Sequence, residues 1–377
     1  MVATLRATLS DLALPIIQAP MAGVATPRLA AAVSNAGGLG SLGLGACTAA
    51  QARAMIEETQ ALTDKPFNVN VFCHTTGKRD TARDTAWLRH LAPFFAEFGA
   101  QPPQALTEIY QSFLADDALF YTLRALRPAY VSFHFGLPHA HHLSALRQLG
   151  ITTMATATNP QEAALVEAAG VDAIIAQGIE AGGHRGMFDP NAVDEQLSTA
   201  VLLRLLRRQT ALPLVAAGGI MDGYAIQAAL DLGATAAQLG TAFILCPESA
   251  ASAPYRTSLK SKRASATRLT SVLSGRPARG LVNRFILQSE GAGQPKTADY
   301  PFAYDAAKQL NTLATRQGCA EFSAHWAGQG APLARELPAT RLMQVLAEEL
   351  QQATTREHRA NSRTPLKENA NVQSHSG

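Results

Sequence analysis

Short runs of apolar or β-branched residues, each followed by an Ala/Leu-rich amphipathic stretch, recur along the first two-thirds of this chain, and that alternation limits its fold more than any other feature. A strand that must pass through a helix before the next strand begins builds βα units and a parallel sheet. Strands are expected at 16–19, 39–42, 67–71, 130–133, 152–155, 173–176, 214–217 and 236–239. Helices are expected between them at 27–35, 49–62, 139–149, 160–169, 199–208 and 223–232; Gly150, Gly170 and Gly233 stand where a helix closes in a left-handed residue. Eight such units over about 240 residues match a (β/α)8 TIM barrel, usually about 250 residues long. A doubly wound open sheet is the competing arrangement, and the positions of the glycines at the strand ends favour the barrel.

The same spacing marks what lies outside the barrel. Residues 73–127 separate the third and fourth strands by far more than an ordinary connection, and 247–353 is too long for one closing helix. Helical patterns at 303–315 and 340–352 predict a second, mostly helical domain. The expected partition is 1–75 and 125–247 for the barrel, 76–124 and 248–353 for a helical substrate or lid domain, and 354–377 for a polar, disordered tail.

Composition narrows the function. Hydrophobic residues make up 47% and charged residues 16%, which excludes a disordered chain and a charged helical rod. Lys and Arg number 32 against 29 Asp and Glu, and a surplus of +3 is too small for a nucleic-acid partner. A small-molecule partner is expected, on a monomer or homodimer. Cys47, Cys73, Cys246 and Cys319 form no CxxC pair, so free thiols and no metal site are expected. The chain offers neither a run of about 18 apolar residues nor a basic-then-apolar N-terminus, and the expected location is the cytoplasm.

Barrels of this kind bind ligands at the C-terminal ends of their strands, with phosphate commonly held by the loops after strands seven and eight. Here those loops read Ala217-Gly218-Gly219-Ile220 and Gln238-Leu239-Gly240-Thr241. One glycine pair alone is most simply a tight turn, but two such sites on consecutive strand ends are placed to let backbone amides approach an anion. Strand one ends in Gln18-Ala19-Pro20-Met21 and strand three carries Asn70, which bring Met21 and Asn70 toward the barrel mouth. Strand six runs into Gln177-Gly178-Ile179-Glu180-Ala181-Gly182-Gly183-His184-Arg185-Gly186. A buried amide can both donate to and accept from a planar heterocycle, and an imidazole with an ordinary pKa of about 6.5 suits proton transfer near neutral pH.

Together with Ser34-Asn35-Ala36-Gly37-Gly38-Leu39-Gly40 and the stretch 68–74, these segments resemble the nitronate monooxygenase family, formerly called 2-nitropropane dioxygenase, in its class I form. The similarity spans about 14–244, and 300–311 extends it. The resemblance implies FMN at the barrel mouth and oxidation of alkyl nitronates by O2 to a carbonyl compound and nitrite or nitrate, through a flavin semiquinone. Propionate 3-nitronate is the substrate it implies. The implied flavin contacts are Asn70, Gln177, Gly182, Gly183, Gly218, Gly219, Gln238, Leu239, Gly240 and Thr241, with Ala19, Pro20 and Met21 packed near the isoalloxazine. His184 is the implied catalytic residue, and His134, Tyr110, Tyr255, Tyr300, Tyr304 and Lys308 are the implied pocket. A nitronate bearing a carboxylate is a dianion, which cationic and hydrogen-bonding side chains of these types can match. Tyr300, Tyr304 and Lys308 have the i, i+4, i+8 spacing of one helix face.

Three other functions fit parts of the pattern. Related flavin barrels that act as FMN-dependent NAD(P)H enoyl-acyl carrier protein or quinone reductases share the Gly-Gly-His and Ala-Gly-Gly segments. A flavin-free isomerase or lyase would use the glycine loops for a phosphorylated sugar, and a flavin-binding sensor would need no His184.

Overall fold

A computed structural model describes residues 7–361. Its strands are β1 (Ile16–Gln18), β2 (Gly40–Gly43), β3 (Phe67–Phe72), β4 (Tyr130–His134), β5 (Thr152–Ala157), β6 (Ala173–Gln177), the two-residue β7 (Gly183–His184), β8 (Leu214–Ala217) and β9 (Ala236–Leu239). All but β7 form one parallel sheet in the order β1-β9-β8-β6-β5-β4-β3-β2. The ring closes between β1 and Leu39, just ahead of β2, where Gln18 N donates to Leu39 O (3.0 Å) and Leu39 N to Ile16 O (2.9 Å). This is the expected (β/α)8 barrel, and each strand lies within two residues of its expected bounds.

The barrel's outer helices include α1 (Pro27–Asn35), α2 (Ala49–Leu62), α5 (Ala140–Gln148), α6 (Pro160–Ala168), α7 (Thr199–Arg207) and α8 (Gly223–Asp231). Short polar side chains set most of their starts: Thr26, Thr48, Asn159, Ser198 and Asp222 each accept an amide of the first turn. Because side chains alternate across a strand, neighbours enter different cores. Ile16 and Ile174 face the helices, whereas Ile17, Ile175, Leu39, Met154 and Val215 fill the barrel interior, which Leu9 and Leu12 join from the chain's N-terminal segment. Strands buried on both faces carry the near-continuous apolar runs seen in the sequence.

A second core is built from α3 (Thr81–Glu97) of the long insertion and from the region after the barrel. Trp87, Phe94 and Phe95 meet Phe285 of α10 (Arg284–Ser289), Ala306 and Leu310 of α11 (Phe302–Arg316), and Phe322. This region also contains α9 (Ala253–Leu259) and two antiparallel strands, β10 (Thr267–Thr270) and β11 (Ala278–Leu281). The outer edge of β11 pairs with β7, so the glycine-rich stretch after β6 is tied into a three-stranded sheet with the later chain.

Two helices expected in the helical domain pack on the barrel instead. In α4 (Asp117–Leu126), Leu119, Phe120 and Leu123 join the barrel core, and the helix lies against α2. In α12 (Ala339–Asn361), Leu342, Met343 and Leu346 join the same core, and the helix lies against α1 and α8. Length and amphipathic pattern announce a helix but not which surface its apolar stripe will cover. Helix α12 also continues past 354, where the tail was expected to begin; 362–377 lie outside the described residues. Leu346→Ala is expected to cost about 3 kcal/mol, as for a buried leucine in a close-packed core. An unchanged denaturant midpoint would place α12 outside the barrel's cooperative unit.

Candidate active site

A cavity of about 510 Å³ opens at the C-terminal ends of the barrel strands, between them and the second core. Of the residues singled out in the sequence, Ala19, Pro20, Met21, Asn70, Gln177, Gly182, Gly183, Gly218, Gly219, Gln238, Gly240 and Thr241 border it. So do His134, His184, Tyr110, Tyr255, Tyr300, Tyr304 and Lys308. Leu239 does not. Its side chain is 1% exposed in the core between strands and helices, and its carbonyl accepts from Ala19 N (2.8 Å). Strand alternation is the reason: Gln238 faces the cavity, so its neighbour faces away.

His184 is held through its backbone by three elements. Its carbonyl accepts from Gln177 Nε2 (3.0 Å) and from His134 Nε2 (3.2 Å), and its strand β7 pairs with β11. Gln177 closes the same loop a second time, its Oε1 accepting from Gly186 N (2.8 Å). Gln177 is therefore a loop clamp as well as a cavity wall, with one N–H and one lone pair left over. Arg185 fastens the loop from the other side, through Asp194 (2.8 Å) and the carbonyl of Gln177. The sequence presents this stretch as a run of flexible glycines; the structure makes it one of the best-anchored segments of the site. Gly182 shows why a glycine is needed, because a Cβ there would lie 2.4 Å from Gly328 N.

His134 has both ring nitrogens occupied, Nδ1 by Thr156 Oγ1 (2.9 Å) and Nε2 by the His184 carbonyl. A carbonyl only accepts, so Nε2 carries the proton and His134 supports the site from behind. The His184 ring meets Ser274 Oγ at Nε2 (2.9 Å) and is surrounded by Phe135, Tyr300, Tyr304 and Trp326 at centroid distances of 5.3–6.1 Å.

Arg276, 3% exposed, lies beneath this aromatic box. Its guanidinium sits over the Phe135 ring (4.3 Å) and donates from Nη2 to the Met187 and Phe188 carbonyls (3.1 and 3.0 Å), while Nη1 is buried without a partner among the described residues. Desolvation first, then neighbouring charge including Arg276, pulls His74 and His134 down to about 4 and His184 to about 3. The imidazoles are neutral at pH 7.

The phenols play different parts. Tyr255 donates its hydroxyl to the Trp326 carbonyl and stacks on His325 (4.6 Å), so it braces the wall. Tyr300 Oη is buried with no partner among the described residues. Helix α11 begins only at Phe302, after Pro301, so Tyr300 is not on the helix face that Tyr304 and Lys308 share; a residue before proline is disfavoured in helical geometry. The Lys308 ammonium lies over the rings of Tyr110 (4.8 Å) and Tyr304 (5.4 Å), at the exposed rim.

At the other end of the cavity Gln238 Oε1 is buried with no partner among the described residues. Gly219 has φ +72° at the end of β8, a left-handed conformation that a side chain would strain. Beside Gly240 the space stays open, and a Cβ would meet nothing nearer than Ala19 Cβ at 3.5 Å. Thr241 Oγ1 accepts from Gly328 N (3.0 Å), which leaves its proton to donate. Ser274, Arg276, Phe135 and Trp326 were not singled out in the sequence. The run Ser274-Gly275-Arg276-Pro277 was the available signal, but nothing in it shows that the arginine is buried.

The sequence model of the nitronate monooxygenase family matches residues 4–349. A nitronate monooxygenase of Pseudomonas aeruginosa is 59% identical over 336 residues, 89% of this chain and 96% of that protein. One of Paraburkholderia phytofirmans is 57% identical over 339 residues, 90% and 93% of the two chains. A solved nitroalkane oxidase from Streptomyces ansochromogenes superposes with a TM-score of 0.85 at 41% identity, covering 93% of this chain and 99% of its own. FabK from Thermotoga maritima superposes at 0.69 and 28%, covering 95% and 100%. Fold and site define a (β/α)8-barrel oxidoreductase. The chain belongs to the nitronate monooxygenase family.

The buried imidazoles make stability depend on pH. Unfolded, His74, His134, His184 and His325 take up protons below about pH 6.5; folded, they resist to about pH 4 or below. The unfolded state then binds more protons, so stability present above pH 6.5 is lost as the pH falls. The denaturant midpoint is expected to drop between pH 7 and pH 5, by on the order of 1 kcal/mol per imidazole. Equal midpoints at the two values would contradict neutral burial.

Proposed function

We propose that this protein binds FMN at the barrel mouth and oxidises alkyl nitronates with O2 to a carbonyl compound and nitrite or nitrate, propionate 3-nitronate being the substrate that suits its pocket. The observation that carries this reading is the asymmetry of one cavity. Its barrel end has an unpaired buried acceptor and glycine loops, and its far end has a neutral imidazole, phenols and an ammonium.

The barrel end fits a flavin mononucleotide. Gln238 Oε1 needs a donor, which the ring imide or the ribityl hydroxyls possess. The loops after β8 and β9 give Gly219, Gly240 and the Thr241 hydroxyl for a phosphate. Asn70, whose Nδ2 donates to Ser132 Oγ (2.9 Å), Gln177, Ala19, Pro20 and Met21 would border the ring. When bound, FMN supplies the electron acceptor that no side chain here can provide.

The chain's own residues bind, orient and manage protons. Lys308 at the rim attracts a carboxylate, and the Tyr110 and Tyr304 rings fix its ammonium in place. Phe72, Trp326 and Tyr300, backed by Phe135, wall the inner site with aromatic surface and keep water from it. His184, neutral in the free protein, can remove the α-proton of a neutral nitroalkane. It can also take up a proton when an anionic nitronate is bound, because a nearby negative charge raises its affinity for one.

Anaerobic mixing of the purified yellow protein with propionate 3-nitronate is expected to bleach the oxidised flavin bands within the instrument's mixing range. Bleaching by NADH or NADPH alone would move the assignment to the FMN-dependent NAD(P)H reductases. Lys308→Met is expected to raise KM for propionate 3-nitronate about tenfold and to leave propyl nitronate, which lacks the carboxylate, nearly unaffected. His184→Asn is expected to lower turnover of neutral nitroalkanes by about 100-fold and that of nitronates far less. Equal losses on both would argue against a base.

A further inference from the structure

Ser274, just ahead of β11, is 0% exposed and meets three polar groups at one hydroxyl. Its Oγ lies 3.1 Å from the Arg276 carbonyl, 3.3 Å from the Arg276 amide and 2.9 Å from His184 Nε2. A hydroxyl has one proton and two lone pairs. A carbonyl can only accept, so the hydroxyl proton goes to Arg276 O; an amide can only donate, so one lone pair takes Arg276 N–H. The group opposite the remaining lone pair must itself be a donor. We infer that Ser274 is a positioning residue that fixes His184 as its Nε2–H tautomer and leaves Nδ1 as the unprotonated nitrogen on this cavity-lining ring.

Among the described residues no other group around His184 competes for the ring nitrogens. His134 reaches it from β4, but its N–H goes to the His184 carbonyl. His74 approaches after β3, Arg276 before β11, Tyr300 from just ahead of α11 and Tyr304 from its first turn; none of them hydrogen-bonds the ring. Reversing the tautomer would leave the one hydroxyl proton to two acceptors, Nε2 and Arg276 O, and so set two lone pairs face to face at a buried hydroxyl, since the backbone of Arg276 cannot exchange its roles.

The inference deepens the function proposed above and rests on it for its catalytic consequence. In deprotonation of a nitroalkane, the C–H bond next to the nitro group breaks, its electron pair moves into the nitro group to give the nitronate, and the proton bonds to Nδ1. The product is an imidazolium with Nε2–H still on Ser274. The tautomer itself can be read without any turnover.

The test is a long-range proton–nitrogen correlation spectrum of flavin-loaded protein labelled with 15N-histidine at pH 7, with His184→Asn identifying the His184 signals. The expected result is a protonated Nε2 and a bare Nδ1. In Ser274→Ala the two tautomers should mix and kcat for a neutral nitroalkane should fall about tenfold with KM changed less than threefold, while Ser274→Thr restores a single tautomer. A wild-type ring protonated at Nδ1, or an unchanged tautomer in Ser274→Ala, overturns the proposal. Should the alanine variant not fold, the wild-type spectrum alone still decides. A correct tautomer in a protein inert toward both nitronates and nitroalkanes would uphold the positioning role and reject the function.

Discussion

The site depends on how the His184 carbonyl is gripped. Two side chains from the barrel, Gln177 on β6 and His134 on β4, donate to that one oxygen, while β7 pairs with β11 from the later chain. This junction joins the barrel to the second core and aims a side chain at the cavity. A hydrogen bond contributes only about 1 kcal/mol net, but an unpaired buried carbonyl costs more than that. The arrangement is therefore self-enforcing: displacing the loop leaves an imidazole, an amide and a strand edge without partners.

Around that junction the electrostatics run in one direction. A buried guanidinium with no carboxylate bonded to it among the described residues sits under a box of imidazoles and aromatic rings; burial above all, with that charge adding to it, keeps the imidazoles neutral. Such a charge is costly when solitary, and here two backbone carbonyls and the Phe135 face offset part of that cost. The potential it leaves in the cavity favours an anion, and an anion in the cavity would in turn favour protonated His184.

Several residues expected in the binding site also serve the scaffold, and one, Leu239, does not reach the cavity. Tyr255 braces Trp326, His134 holds the loop, Gln177 clamps it, and Leu239 lies in the core. Only bonding partners distinguish a residue that lines a cavity from one that could act in it. The partners of Tyr255, His134 and Gln177 lie 71, 50 and seven residues away in the chain, beyond the reach of local pattern.

The sequence by itself determined the barrel. Period-two and helical patterns, helix-starting Thr, Ser, Asn and Asp residues and glycines at the strand ends are local signals, and each acts within a few residues. It also placed His184, Gly219 and Gly240 around a common mouth, because strand ends of a closed barrel converge whatever their distance in sequence; Lys308, on α11, was expected there only through the family resemblance and its helix-face spacing. Tertiary structure alone decided that α4 and α12 cover the barrel, that a glycine loop becomes a strand, and that Ser274 and Arg276 lie against His184. The physical reason is that burial and hydrogen-bond partnership belong to pairs of distant segments. An arginine or serine reads the same in sequence whether it faces water or an imidazole.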